Sequence, residues 1–389
     1  MSIYLDNSAT TKIRHEALEK YIRVCEENYG NPSSLHSLGY LAEKELKLAR
    51  EHILASLGER NSEVIFTSSG TEANNLAIFG RAYSKERYLR GKRIITTAAE
   101  HASVNEPLAR LAKAGFDIVK ISTRGGTIDM RELRETLTPN VILVTAMMVN
   151  NETGAIYDIA GISRLTRELS PEALIHVDAT QSYMKIPFTK RALDADMITV
   201  SSHKIEGPKG VGALVVDSGV IKQRGICATT LGGGQEGGLR SGTENVPAIA
   251  AFAEAARLGA MECRDTYKKL SELKEMLIRQ ISSEPELSGI SLNLPKVSAP
   301  HILNITLPGI KSETMLHFLS SEGIFISSGS ACSSNSTRHT SALIDFGKSE
   351  SEADCSIRIS FSRNNTKADV AALTEALKSG LARLARIKK

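Results

Sequence analysis

The 389-residue sequence contains no apolar run long enough to cross a membrane, which takes roughly 18 consecutive apolar residues. It begins MSIYLDNSATTK, without the charged and then apolar leader of a secretory signal, so we expect no such signal. The net charge of +4 is small for this length and does not favour nucleic acid as a partner. We therefore expect neither membrane insertion nor direct nucleic-acid binding.

Cysteine is scarce, with five residues that are widely scattered and odd in number. No CxxC pair occurs, so the sequence favours neither a disulfide framework nor a zinc site. Internal repeats are absent as well. These absences predict a protein of the reducing cytoplasm that has no metal site of its own.

The length exceeds what one hydrophobic core usually serves, so two domains are expected. In the first two-thirds of the chain, short and nearly continuous apolar runs alternate with amphipathic segments. This alternation predicts an α/β fold with a mostly parallel sheet that is covered on both faces. The predicted strands are 64–67, 93–97, 118–121, 141–148, 174–177, 197–201 and 211–216. We assign 15–260 to a large domain, and 1–14 together with 261–389 to a smaller α+β domain.

Helices are predicted from apolar spacing and from capping residues. Residues 42, 46, 49, 53 and 57 are apolar at helical spacing. Asp129 is a predicted N-cap, and Glu132 three residues later resembles a capping box. An alanine-rich helix is expected from 248 to 261, continuing to about 282, and a last helix is expected to start near Thr366. The small, polar interval 327–350 predicts a mobile surface loop, and this loop contains Cys332.

Two chemically suggestive side chains follow apolar strands, 26 positions apart. Lys204, flanked by small residues, suits Schiff-base chemistry because desolvation lowers the pKa of an amine and frees a neutral nucleophile. Asp178 at a strand end could keep a pyridine nitrogen protonated, and Gln181 beyond it could donate to a phenolic oxygen. The simpler alternatives are a surface lysine in a turn and an aspartate that caps one.

The segment 66–75 has the pattern of a strand, a turn of small residues and a helix start. Gly70, Thr71 and the free N–H groups of a helix N-terminus favour a phosphate, although simple N-capping is the common alternative. No Gly-Lys-Ser/Thr follows, so this is not a Walker A loop. His101 follows another strand and could stack on a cofactor ring and move protons.

Cys332 and Arg358 are the remaining candidates for chemistry. A thiol in a polar loop is exposed and available to react, unlike a packed cysteine. Arg358 lies in a short predicted strand, where its forked guanidinium could hold a carboxylate. The more common role for such an arginine is a structural ion pair.

Taken together, these segments resemble the cysteine desulfurase family, in the class V aminotransferase group of fold-type-I pyridoxal-phosphate enzymes. The resemblance covers nearly the whole chain, and its motifs occur in the order typical of the family. They are YLDN at 4–7, NPSS at 31–34, TEANN at 71–75, EH at 100–101, VNNETG at 149–154, HVDATQ at 176–181, SSHK at 201–204, RSGTEN at 240–245, SSGSAC at 327–332 and SIR at 356–358. The sequence departs from the family pattern at Ser69-Gly70, Ser202, Glu206, Gly237 and Phe361-Ser362.

The resemblance implies a large seven-stranded domain and a smaller one, with pyridoxal 5'-phosphate as the cofactor. It also implies roles for individual residues. These are Lys204 as the covalent attachment point, Asp178 at the pyridine nitrogen, Gln181 and Asn151 at the phenolic oxygen and the substrate side, His101 stacked on the ring, Gly70, Thr71, Ser201 and His203 at the phosphate, Thr243 at the phosphate of the other subunit of a homodimer, and Arg358 at the substrate carboxylate.

The implied reaction is removal of sulfur from L-cysteine, which gives L-alanine and a persulfide on Cys332. The long Cys332 loop is typical of the NifS/IscS-like branch rather than of the SufS-like branch. The implied acceptor is a protein such as an iron–sulfur scaffold or a tRNA-thiolation enzyme, and Cys332 is a possible iron–sulfur ligand in such a complex. The alternatives are a selenocysteine lyase, a related class V enzyme, and a weakly active scaffold for acceptor proteins.

Overall fold

The computed structural model describes residues 2–84, 91–328 and 342–384, and Cys332 lies outside them. Within that part of the chain, no helix is both long and apolar enough to cross a membrane. The strands are β1 Ile3–Tyr4, β2 Ser62–Thr67, β3 Arg93–Thr97, β4 Asp117–Ile121, β5 Val141–Met147, β6 Leu174–Asp178, β7 Met197–Ser201, β8 Gly212–Asp217, β9 Ser291–Leu292, β10 Ile302–Thr306, β11 Ile324–Phe325, β12 Ser327–Ser328 and β13 Ser356–Ser360.

Helices flank the strands in the alternation that the sequence predicts. They are α1 His15–Glu27, α2 Ser37–Ser56, α3 Gly70–Ala82, α4 Ala102–Lys113, α5 Met130–Thr136, α6 Ile159–Leu169, α7 Lys190–Leu193, α8 Ser218–Lys222, α9 Val246–Ser283, α10 Ser312–Ser321, α11 Ala342–Phe346, α12 Glu350–Asp354 and α13 Lys367–Leu384. All seven predicted strands are confirmed, with ends that differ by one or two residues.

The large sheet has seven strands in the order β2-β8-β7-β6-β5-β3-β4. Only β8 runs antiparallel to its neighbours, so the predicted mostly parallel sheet is confirmed. Successive residues of β2 alternate between two apolar cores: Val64 and Phe66 face one, and Ile65 faces the other. Burial on both faces explains why these strands are nearly continuous apolar runs.

A second, four-stranded antiparallel sheet has the order β12-β13-β10-β9 and its own apolar core. The 38-residue helix α9 serves both cores. Phe252 in its first half packs in the core of the large sheet, while Leu270 and Leu277 in its second half pack in the core of the small sheet. A core of its own for the small sheet is compatible with the two predicted domains, whose boundaries stay a prediction.

Two local predictions are wrong in part. Asp129 caps α5 as expected, but the Glu132 carboxylate accepts from the Ser122 backbone N–H at 2.7 Å instead of closing a capping box. The turn after β4 brings this N–H within reach, because Asp129 N–H donates to Ser122 O. The interval 327–350, predicted as a loop, includes strand β12 and helix α11, in which Leu343 is fully buried.

Candidate active site

The carboxyl ends of β5, β6 and β7 open onto a cavity of about 360 Å³, which we call the cleft. Parallel strands end at the same sheet edge, where open α/β folds bind their ligands. Most of the predicted site residues line the cleft together. These are Gly70, Thr71, His101, Asn151, Asp178, Gln181, Ser201, His203, Lys204 and Arg358.

Two predicted residues are not among those lining the cleft. Thr243 lies on an exposed segment before α9. Cys332 is outside the described residues, so its position relative to the cleft stays a prediction. The thiols of Cys25, Cys227, Cys263 and Cys355 are all free and lie outside the cleft.

Lys204 ends a single 3-10 turn, Ser202–Lys204, that follows β7 directly. Its amine Nζ donates hydrogen bonds to the carbonyl oxygens of Ser8 at 2.6 Å and Ala9 at 2.8 Å. The side chain is half-buried and faces the cleft that Asp178 also lines. The N-terminal segment thus holds this amine in place at the rim of the sheet.

The same N-terminal segment is hydrogen-bonded to the lysine turn itself. The Thr11 N–H and hydroxyl both donate to His203 O, at 2.9 and 2.8 Å. The Glu206 N–H donates to the Thr11 hydroxyl at 2.8 Å. Glu206 adopts a φ of 65°, a conformation that non-glycine residues rarely take. These contacts fix the backbone on both sides of Lys204.

Asp178 is buried at the end of β6, and both of its carboxylate oxygens accept hydrogen bonds. Oδ1 accepts from the Thr180 backbone N–H at 2.9 Å, and Oδ2 accepts from Asn74 Nδ2 at 2.8 Å. Asn74 belongs to helix α3. The carboxylate is thus held from two directions while it lines the cleft.

His101 is the N-cap of α4 and lies half-buried in the cleft. Its Nδ1 accepts from the Ser103 backbone N–H at 3.1 Å, so the neutral ring carries its proton on Nε2. Burial lowers the pKa of this imidazole, an effect that the Asp178 carboxylate opposes and the Lys204 ammonium reinforces. The ring is therefore neutral near pH 7 and presents an N–H donor.

The N-terminus of α3 forms a cradle with the end of β7. Gly70 approaches that strand so closely that a Cβ would lie 3.2 Å from Thr180 Oγ1 and 3.3 Å from Ser201 Cβ. The Ser201 hydroxyl is buried and has no hydrogen-bond partner among the described residues. His203 also lines the cleft. Ser69 caps the helix by accepting from the Glu72 N–H, as the N-capping alternative predicts, and an unpaired hydroxyl beside a helix N-terminus also fits a phosphate group.

Gln181 and Lys185, four residues apart, are hydrogen-bonded to each other, and of the two only Gln181 lines the cleft. Lys185 Nζ donates to Gln181 Oε1 at 3.2 Å, and Gln181 Nε2 donates to Ser8 O at 2.9 Å. Burial, with the nearby Lys204 and Arg358 charges, lowers the pKa of Lys185 to about 7. Because the carbonyl of Gln181 faces Lys185, its amide nitrogen is left to face Ser8.

Arg358 lies in β13 and forms the opposite side of the cleft. Its Nη2 donates to Asp6 Oδ1 and Ser327 Oγ, both at 3.0 Å, and its Nη1 donates to Asn151 O at 2.9 Å. Among the residues that the structure describes, none accepts from the buried Nε–H. The guanidinium makes the structural ion pair that the sequence offered as an alternative, and its role as a carboxylate ligand stays a prediction.

Several residues that complete the site were assigned no role from the sequence. Asn74, Ser103 and Lys185 support other side chains, and Asp6 pairs with Arg358. Asn74 and Asp6 fall within the motifs TEANN and YLDN, and these motifs were the signal that could have pointed to them. Sequence spacing alone does not place them, because their partners lie 104 and 352 positions away.

Comparison with known proteins agrees with this geometry. Residues 3–373 match the family model of the class V aminotransferases. The NifS/IcsS protein homolog of Lactobacillus delbrueckii subsp. bulgaricus is 40% identical, covering 94% of this chain and 93% of that protein. Cysteine desulfurase IscS of Dictyoglomus turgidum is 36% identical, covering 95% of this chain and 91% of that protein.

The fold also has counterparts among solved structures. A NifS-like protein superimposes with a TM-score of 0.90 and 34% identity, covering 98% of this chain and 100% of that one. The large, mostly parallel seven-stranded sheet is accordingly that of the fold-type-I enzymes to which NifS-like proteins belong. The chain belongs to the class V aminotransferase family, in its cysteine desulfurase branch.

Proposed function

We propose that this chain uses pyridoxal 5'-phosphate, bound in the cleft, to remove sulfur from L-cysteine, giving L-alanine and a persulfide on Cys332. The observation that carries the proposal is the meeting of four groups in one cavity. They are a strand-end amine, a buried carboxylate, a neutral imidazole and a guanidinium with an unused donor. Relatives named as cysteine desulfurases support the choice of reaction.

The cleft residues fit the cofactor at each of its polar groups. Ser201, His203, Gly70 and Thr71 would hold the phosphate, and the unpaired Ser201 hydroxyl supports this role. Asp178 would hold the pyridine nitrogen, Gln181 and Asn151 would face the phenolic oxygen, and His101 would cover the ring. Lys204 would be the covalent attachment point. When bound, the cofactor supplies an electron sink for the charge left by a departing α-proton.

Arg358 would bind the carboxylate of cysteine. Its buried Nε–H has no partner, and a buried donor of this kind is costly unless a ligand satisfies it. The other guanidinium nitrogens are engaged by Asp6, Ser327 and Asn151, so the plane of the group is fixed before substrate arrives. A fixed plane reduces the entropy that substrate binding must offset.

Two side chains would move protons. Lys204 Nζ, positioned by the Ser8 and Ala9 carbonyls, would accept the α-proton of cysteine once it is released from the cofactor. His101 Nε2 carries a proton on a neutral ring and would serve as a donor on the same side of the cleft. Lys204 Nζ is held by these two carbonyls, and the His101 ring is held through Nδ1 by the Ser103 N–H.

The Cys332 thiolate would attack the sulfur atom of the substrate. The Cβ–S bond of cysteine breaks, an S–S bond forms on Cys332, and Cβ takes up a proton to become the methyl group of alanine. The reaction is balanced, because cysteine and one thiol give alanine and one persulfide, and no outside oxidant is required. The persulfide would then pass to an acceptor protein, such as an iron–sulfur scaffold or a tRNA-thiolation enzyme, in a reducing cytoplasm.

We also propose a homodimer. Thr243 is exposed in this chain and lies outside its cleft, so it would complete the phosphate site of a second copy. A dimer of this kind predicts that the cofactor is bound more weakly when the chain is diluted below its dimerisation constant.

Two substitutions test the reaction. Lys204→Ala should abolish the absorbance of covalently bound cofactor, together with alanine formation. Cys332→Ala should keep the absorbance and lose alanine formation from cysteine. Cys25→Ala is the matched control, because that thiol is exposed and outside the cleft, and it should leave both readouts unchanged. Brisk sulfur transfer by the Cys332 variant would refute the assignment of Cys332 as the nucleophile. Turnover of selenocysteine but not of cysteine would refute the assignment of L-cysteine as the substrate.

A further inference from the structure

One amide in the wall of the cleft contacts two of the groups that carry the proposed chemistry. Asn74 is almost fully buried, and its Nδ2 donates to Asp178 Oδ2 and to Ser103 Oγ, both at 2.8 Å. The Ser103 hydroxyl lies 2.9 Å from His101 Nδ1. A continuous hydrogen-bonded chain therefore runs from Asp178 through Asn74 and Ser103 to His101.

The orientation of the Asn74 amide follows from its partners. An ionised carboxylate only accepts hydrogen bonds, so the nitrogen of the amide, and not its oxygen, must face Asp178. The same nitrogen supplies the contact to Ser103, so both of its N–H groups are used. The carbonyl oxygen Oδ1 is buried, and no described residue donates a hydrogen bond to it.

The unpaired oxygen argues against a simple packing role for Asn74. A buried acceptor without a partner destabilises the folded chain, and an apolar side chain of similar size would avoid that cost. Asparagine is useful here only if its two donors are needed. Asp178 and Ser103 are the groups that receive them, and both line the cleft together with His101.

We propose that Asn74 is a positioning residue that fixes the carboxylate plane of Asp178 and, through Ser103, the ring of His101. The inference rests on the proposed function, because it assigns Asp178 to the pyridine nitrogen of the cofactor. Thr180 N–H and Asn74 Nδ2 each occupy one oxygen of the carboxylate, so it cannot rotate without breaking a hydrogen bond. In this proposal, cofactor affinity depends on the hydrogen bond that Asn74 donates to Asp178.

The test measures the cofactor dissociation constant by absorbance titration of the full-length chain with pyridoxal 5'-phosphate. Asn74→Ala removes both donors, and we expect binding to weaken roughly tenfold or more, as for loss of a hydrogen bond to a charged group. Asn28→Ala is the control. Asn28 lies outside the cleft, its amide donates to Glu45 Oε1 at 3.0 Å, and its removal should change the constant less than about twofold.

Asn74→Asp separates donation from packing, because it keeps the shape and makes the donor pH-dependent. Burial beside Asp178 raises the pKa of the introduced carboxyl. At about pH 6 the protonated form can donate to Asp178 Oδ2, so we expect binding within a few-fold of the parent. At about pH 9 the ionised form repels Asp178, and we expect binding roughly 100-fold weaker than the parent at the same pH.

The outcomes distinguish the two proposals. A parent that shows no absorbance of bound cofactor overturns the proposed function itself. A parent that binds while Asn74→Ala binds equally well overturns only the positioning role. If circular dichroism shows that Asn74→Ala does not fold, the Asn74→Asp variant decides. A ratio of its dissociation constant to that of the parent that changes with pH supports hydrogen-bond donation by residue 74, and a constant ratio overturns the positioning role.

Discussion

The two sides of the cleft are held in different ways. On the side of the large sheet, Asp178 is fixed by neutral donors, the Asn74 amide and the Thr180 backbone N–H. On the opposite side, Arg358 is fixed by an ion pair with Asp6, at 3.0 Å between Nη2 and Oδ1. Removing a neutral donor leaves a lost hydrogen bond, whereas removing one member of a buried ion pair leaves an unpaired charge.

This difference fits what each side would bind. The cofactor would stay in place through every cycle, and neutral donors can orient a carboxylate without competing for its charge. The substrate carboxylate would arrive and leave in each cycle, and Arg358 carries a charge that Asp6 only partly satisfies. The unpaired Nε–H of Arg358 is the sign of this incomplete satisfaction.

The largest expected effect is that of a change at Arg358, on the side of the cleft that is held by the ion pair. Arg358→Ala should raise the KM for cysteine about 100-fold or more, through loss of a charge-assisted contact, and should lower the free energy of unfolding by about 3 kcal/mol. The second effect arises because Asp6 would lose its charged partner and, among the described residues, would keep the Ser327 hydroxyl as a side-chain donor. Steady-state kinetics and urea unfolding measure the two effects separately.

A double variant sharpens that prediction. Arg358→Gln combined with Asp6→Asn removes both charges, so it should recover much of the lost stability but none of the affinity for cysteine. If the single and double variants are equally unstable, the Arg358–Asp6 pair does not stabilise this side, and the contrast between the two sides fails.

The sequence predicts one side of the cleft better than the other. Asp178 and Lys204 each follow an apolar strand, and a parallel sheet must bring such strand ends to one edge. Arg358 was predicted as a possible carboxylate ligand, but nothing in its spacing pairs it with Asp6 near the other end of the chain. The predicted capping box at Glu132 is wrong for a more local reason. The turn after β4 brings the Ser122 N–H close, and this N–H donates to the Glu132 carboxylate instead.

A second, intermediate effect concerns Glu100, a buried carboxyl that follows β3 of the large sheet. Burial raises the pKa of Glu100 to about 8, although Oε1 accepts from the Thr97 hydroxyl at 2.6 Å and the Met147 N–H at 2.8 Å. The pKa in the unfolded chain is near 4.5. The protonated group therefore contributes stability that is complete below pH 4.5 and is lost as pH rises to about 8.

Glu100→Gln keeps the acceptor and cannot ionise. As pH rises across this window, the parent should lose stability and the variant should not. The difference between their free energies of unfolding should grow by up to about 1.4 kcal/mol per pH unit, as measured by urea unfolding at several pH values. Lys185→Met is the control of opposite sign. The Lys185 pKa of about 7 lies below its usual 10.5, so the parent gains stability as pH rises through that interval. Parallel curves for Glu100→Gln and the parent would mean that Glu100 is ionised like a surface carboxylate.

The smallest expected effect is a displaced limb in the pH profile of alanine formation. Burial holds the pKa of His101 below its usual 6.5, and the Ser103 N–H on Nδ1 fixes the tautomer that bears its proton on Nε2. The ring should therefore stay neutral as pH falls from 8 to 6.5, and kcat should stay level over that interval. His101→Gln identifies the limb, because a limb that remains in this variant belongs to another group. A limb centred at or above pH 6.5 that disappears in His101→Gln would show that the ring is charged at neutral pH, and would contradict the neutral ring assigned to it.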